Sequence, residues 1–174
     1  MKTLSIITSL IIFVSLNLHA QLKYEGKIDS RYKAIQLNDG SYKYLKYNKE
    51  DKKVLIYNLD NSLWRTVNLP LPENHILDEI KDISTNTFND DDFVELIYSC
   101  VVYEVADNIE NPENGYVQIE FTLNIINEEG DLILAVPGSN EMEIIKDQGG
   151  NKLLIYKHVG KHFSHEEETI IYSF

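Results

Sequence analysis

The run VQIEFTLNIINEEGDLILAV, residues Val117 to Val136, decides the fold class. Val117, Ile119, Phe121, Leu123 and Ile125 alternate with Gln118, Glu120, Thr122 and Asn124. Successive side chains of a strand point to opposite faces, so this period predicts a strand with one apolar and one wet face. Asn127, Glu128, Glu129 and Gly130 turn the chain, with Gly130 free to adopt the left-handed conformation of a short hairpin loop. The return strand runs from Asp131 to Val136 and stops at Pro137 and Gly138.

Working outward, the same alternation between turn signals recurs. Tyr42 to Tyr47, Lys53 to Tyr57 and Leu63 to Leu69 read as strands of a meander, with turns at Asn48 to Lys52 and Asn58 to Asn61 and a stop at Pro70-Leu71-Pro72. Phe93 to Val105 reads as a long strand, and Glu141 to Lys146, Lys152 to Val159 and Thr169 to Phe174 as three more. An edge strand is expected around Ala34 to Leu37 in an otherwise irregular lead-in.

Ile76, Leu77, Ile80 and Ile83 stand at helical spacing behind Asn74, a residue suited to capping. An internal repeat argues for a strand there instead. A strand and turn containing Asn58 lead to a strand ending at Pro70, and a strand and turn containing Asn127, 69 positions later, lead to one ending at Pro137. Each is followed by an irregular segment and an apolar strand with a tyrosine, which aligns Ile76 to Ile83 with Met142 to Lys146. The expectation is therefore an all-β domain, 41–174, of two repeated antiparallel four-stranded units at about 41–105 and 116–174. These pack as a sandwich or stand like propeller blades.

Met1 to Ala20 has the form of a secretory signal: Lys2, an apolar run from Leu4 to Leu16, then Leu18-His19-Ala20. The run is short against the roughly 20 residues of a membrane span. The expected product is secreted or periplasmic, starts at Gln21 with 21–40 as the lead-in, and is not inserted in a membrane. Sixteen basic residues face 28 acidic ones, a formal net charge of −12, one unit more negative once Lys2 is removed. That balance disfavours nucleic acid as a partner. The lone Cys100 shares a strand face with Val94, Leu96, Tyr98 and Val102 and reads as a small buried hydrophobe.

The stretch from Tyr57 through Asp60-Asn61-Ser62-Leu63-Trp64 to Pro70, together with Val136-Pro137-Gly138, Lys152 to Tyr156 and Ile171-Tyr172-Ser173, resembles the blade-like repeats of secreted Bacteroidota proteins, many of them associated with type IX secretion. The resemblance covers roughly Tyr42 to Tyr172, implies an exported β-repeat module, and carries over no catalytic residue. Asp60 also resembles the aspartate of the turn in sialidase-like propellers, without the glycine, and is expected to hydrogen-bond its own turn.

Three groups of residues are candidates for chemistry. His158, His162 and His165, followed by Glu166, Glu167 and Glu168, are possible metal ligands. Gly160 and the flanking strands place them in a hairpin loop, where a solvated polar turn is the competing reading. Asn89, Asp90, Asp91 and Asp92 offer clustered oxygens to a cation, but match no EF-hand spacing and fit a turn. Eleven tyrosines and Trp64 invite a carbohydrate-binding reading, although Tyr42, Tyr44, Tyr57, Tyr98 and Tyr156 fall in strands where aromatics commonly pack. No catalytic residue and no cofactor site is expected. The leading function is a non-catalytic exported module that binds a protein or glycan at the cell envelope; the alternative is a small secreted hydrolase using carboxylates or the histidine loop. The exported protein should have Gln21 as its first residue, and an intact mass that still includes Met1 to Ala20 would overturn the leader assignment.

Overall fold

The structure, a computed structural model, describes residues 24–27, 32–89, 91–106, 116–159 and 166–174. The chain divides after Ser30; of the first unit, 24–27 are described and form no regular element. The second unit, from Arg31, is all-β and antiparallel, with no helix among the described residues. Its first sheet joins β1 (Lys33–Gln36), β2 (Tyr42–Asn48), β3 (Lys53–Tyr57) and β4 (Leu63–Asn68) in chain order. The second joins β5 (Ile76–Thr85), β6 (Val94–Ala106), β7 (Tyr116–Ile126) and β8 (Leu132–Pro137). The third joins β9 (Ser139–Asp147), β10 (Gly150–Val159) and β11 (Glu166–Ser173).

The two expected four-stranded units are present, and a three-stranded sheet follows them. Their phase differs from the expected division at 41–105 and 116–174. The lead-in supplies β1, and β6 and β7 pair across 107–115, within the second sheet. The reason is visible in the turns. Asn58 N donates to Ser62 O and Asn61 N to Asn58 O, and the Asn127 to Asp131 turn repeats both bonds at the equivalent atoms. Leu37 to Ser41 repeats them a third time, between β1 and β2. Asn61, Gly130 and Gly40 hold the left-handed position, with φ of 66°, 93° and 82°. Asn58 and Asn127 thus mark the last hairpin of their sheets rather than the first.

β5 is a strand, and its bulges account for the helical spacing. Its pairing with β6 shifts between Leu77 and Glu79 and again between Ile80 and Asp82. Each bulge inserts a residue, so Leu77, Ile80 and Ile83 stay on one face at intervals of three, opposite Cys100, Tyr98 and Leu96.

The second sheet is covered on both faces. One core cluster joins Leu45, Val54, Ile56 and Val67 of the first sheet to Ile83, Leu96, Tyr98 and Cys100. The other joins Ile97, Leu123, Ile125 and Val136 to Leu153 and Ile155 of the third. Accordingly Val94 to Cys100 are buried without a break. The expected wet face of β7 is corrected by this layering. Asn124 is buried, its Nδ2 donating to Thr122 O at 3.1 Å and lying 3.4 Å from Cys100 Sγ, whereas Ile119 on the apolar side is exposed, beyond the covered part of the sheet. Burial raises the Cys100 thiol above its usual range, in keeping with the expected packing role.

The first and second sheets also lock through polar groups. Asn68 N donates to Glu128 O and its Nδ2 to Glu129 O, while Tyr98 Oη donates to Pro70 O at 2.8 Å. Gly130 is required there: a Cβ would stand 3.2 Å from Asn68 O and from Pro70 Cδ.

Glu95, fully buried in β6, holds the β5–β6 loop. Its Oε2 accepts from Ser84 Oγ (2.6 Å) and Thr87 N (2.9 Å), its Oε1 from Phe88 N (2.6 Å) and Asn89 N (3.0 Å). Glu95→Gln turns an NH2 toward amide donors in a site closed to water. It should cost about 2–4 kcal/mol and lower the melting temperature by at least several degrees, whereas the exposed Glu129→Gln should cost under about 0.5 kcal/mol. Equal melting temperatures for the two variants would contradict this account.

Candidate binding surface

Strand parity decides which side chains of the first sheet face away from the second. Leu45, Val54, Ile56 and Val67 point inward, so Tyr42 and Tyr44 of β2, Leu55 and Tyr57 of β3 and Thr66 of β4 point outward. Register then brings the outward residues into rows: Ala34, Tyr44, Tyr57 and Leu63 lie side by side across the four strands. Tyr32 lies over the middle of that row, its ring centroid 5.8 Å from Tyr44 and 5.4 Å from Tyr57, with interplanar angles of 27° and 19°. Tyr42 and Leu63, each more than half exposed, flank the stack. Stacked rings of this kind gain about 0.5–1.5 kcal/mol per pair beyond area burial, which favours the stacked arrangement.

Beside this face, around the Asn58 to Ser62 turn, the polar groups are mutually committed. Asp60 Oδ1 accepts from Ser62 N (2.9 Å) and Ser62 Oγ (2.6 Å), which lowers its carboxyl pKa and matches the expected self-bonded turn. Lys43 Nζ donates to Asn58 Oδ1 at 2.9 Å and stands 4.7 Å over the Trp64 ring, with the Arg65 guanidinium 5.8 Å away. The bulge between Ile56 and Tyr57 is what admits Trp64 beside Arg65.

Of the other candidates, part lies within the described residues. His158 lies in β10 opposite Glu167 of β11, and His162 and His165 lie outside the described residues. Among the described residues no three His, Cys, Asp or Glu side chains are grouped to hold a metal ion. Of the acidic loop, Asp90 is outside the described residues, and Asp91 spends its carboxylate on Phe93 N (2.9 Å) and Asn89 Nδ2 (2.7 Å). Other acids serve structural bonds: Asp78 accepts from Ser99 Oγ at 2.7 Å, and Glu79 is held down to about 2 by the ammonium groups of Lys81 and Lys33. Tyr156, on the outward face of the third sheet, donates to Glu143 Oε2 at 2.9 Å, which raises its phenol pKa.

Among the described residues no helix is long and apolar enough to cross a membrane. Comparison with protein-family models, with curated proteins and with solved structures finds no match for this chain.

The tyrosines that sequence pattern placed in strands thus divide into two kinds. Tyr98 is core, while Tyr42, Tyr44 and Tyr57 share the outward face of the first sheet, with Tyr32 stacked over the last two. Parity against Val54 and Ile56 could have separated Tyr57 from the core; Tyr32, in the irregular lead-in, carried no signal. Tyr98→Phe, which orphans Pro70 O, should cost about 1–2 kcal/mol, and Tyr42→Ser under about 0.5 kcal/mol. Urea midpoints check the pair, and a larger loss for Tyr42→Ser would place that residue in the core.

Proposed function

We propose that the chain is a non-catalytic binding module, secreted or periplasmic, of the β-repeat kind it resembles among secreted Bacteroidota proteins. It engages a protein or glycan at the cell envelope through the tyrosine face of the first sheet. One observation carries this reading: Tyr32, Tyr44 and Tyr57 are stacked on the outward face, with Tyr42 and Leu63 exposed beside them. A tyrosine offers a large apolar surface, a hydroxyl and little rotamer entropy to lose, so a preorganised set binds at low cost. The stacked Tyr32, with Tyr42 and Leu63 exposed beside it, offers apolar surface suited to the apolar face of a sugar or to a flat protein epitope. The leader-like Met1 to Ala20 and the acidic charge agree with an extracytoplasmic site free of nucleic acid.

The experiment is a glycan array together with capture from envelope extract, using the purified protein. The double variant Tyr42→Ser, Leu63→Ser should weaken the strongest interaction at least about tenfold, or ~1.4 kcal/mol, without shifting the melting temperature. Tyr103→Ser, exposed on the second sheet, should bind as wild type. Unchanged binding by the double variant would remove the tyrosine face from consideration.

A further inference from the structure

An edge strand presents unpaired N–H and C=O groups to any other strand, and proteins blunt such edges by shortening, bulging or proline. Three sheets give six edges, and five are blunted here. β1 has four residues. The pairing of β4, β5, β8 and β9 with its neighbour is broken by register shifts, and β8 also ends on Pro137. β11 is the sixth. It pairs with β10 over eight consecutive positions without a shift and has no proline.

The outward groups of β11 can be assigned. Phe174 N donates to Asn151 O and Asn151 N to Phe174 O, so these two form a hydrogen-bonded pair. Bonded and non-bonded pairs alternate in an antiparallel ladder. Counting back, Tyr172, Ile170 and Glu168 face β10, whereas Ser173, Ile171 and Thr169 turn their amides and carbonyls to the other edge, which pairs with no strand among the described residues. Ile171 is 59% exposed.

The sister sheets show what fits at this place. In each, the third strand is followed by a fourth, Leu63–Asn68 or Leu132–Pro137, with a leucine first and a buried valine, Val67 or Val136, four residues on. The third sheet has no such strand among the described residues.

We propose that the β11 edge docks an extended strand of a partner polypeptide, added antiparallel to β11, so that the third sheet is completed to four strands. The partner segment carries a valine-like residue at the place of Val67 and Val136, and lysine or arginine toward its C-terminal end. Antiparallel addition brings that end beside the exposed Glu168, near the start of β11. The net charge of −12 favours such a basic segment over a second copy of this chain. This edge is distinct from the tyrosine face and does not depend on its having a ligand.

The test uses the full chain and a fluorescent peptide with the sequence of Leu63–Pro70 followed by two lysines, titrated by anisotropy. Wild type should bind it saturably and a scrambled peptide should not. Ile171→Pro removes an outward N–H and no bond to β10, so affinity should fall about tenfold or more with the melting temperature kept within a few degrees. Thr169→Pro serves the same purpose if Ile171→Pro does not fold. Amides 169, 171 and 173 should exchange rapidly in the free chain and slowly with peptide bound. Absence of saturable binding, equal binding of the scrambled peptide, equal affinity of a folded proline variant, or protection of those amides in the free chain would each overturn the proposal. A dimer dissolved by Ile171→Pro would also overturn it, by assigning the edge to a second copy.

Discussion

Burial of β6 from both sides is the constraint on which the rest of this structure depends. A sheet with one apolar face needs one partner, and a sheet with two needs two. Because Val94, Leu96, Tyr98 and Cys100 face one way and Ile97 the other, the second sheet takes the first as cover on one face and the third on the other. Fully burying a leucine- or isoleucine-sized side chain is worth about 1.5–3 kcal/mol, so losing either cover would forfeit many such contributions at once. The same enclosure sets a condition on the polar residues caught within it. Glu95, Ser99 and Asn124 all have hydrogen-bond partners, and their partners lie in the second sheet or its own loop. Polar atoms left unsatisfied there would cost more than their bonds contribute.

The polar contacts between the first and second sheets have a complementary role. Glu128 joins the two through its backbone oxygen on Asn68 N and through a carboxylate near Arg65 and Val94 N. Apolar packing tolerates sliding, whereas such bonds fix where along β4 the turn of the second sheet comes to rest. The outward face of the first sheet is thereby held on a rigid base, which a preorganised aromatic surface needs.

Strands and turns were legible because alternation and turn chemistry are local. What escaped depends on neighbours that pattern alone does not identify. Asn124 reads as wet because it is polar, and is dry because the first sheet covers it. Ile119 reads as core, and is exposed because the covering layers stop short of it. Ile76 to Ile83 imitates a helix because two bulges change the interval from two to three, and only comparison with Met142 to Lys146 gave the right element. The Asn58 and Asn127 turns are equivalent, as the repeat implies, and the edge strand expected around Ala34 to Leu37 is β1; the boundaries differ because that strand belongs to the first sheet and not to a lead-in outside it. Of the candidate surface, Tyr42, Tyr44 and Tyr57 were recognised as strand residues, but their common face required the register of three strands. Tyr32 and the buried Glu95 left no mark in the sequence pattern.

The thrice-repeated turn has a consequence for how the chain reaches this state. Every strand among the described residues pairs with a neighbour in sequence, so each hairpin can close over a short loop, at little entropic cost, before any two sheets meet. Leu37 to Ser41, Asn58 to Ser62 and Asn127 to Asp131 are independent starting points of that kind. The demanding event is a distant one: Glu129 must find Asn68, 61 residues earlier in the chain, and Gly130 must settle against Pro70. Hairpin closure is a matter of microseconds, whereas nonlocal contacts set the pace of β proteins. Docking of the sheets, of which the contact between the Asn127 to Asp131 turn and the end of β4 is one part, is therefore expected to be slower than the closing of any single hairpin.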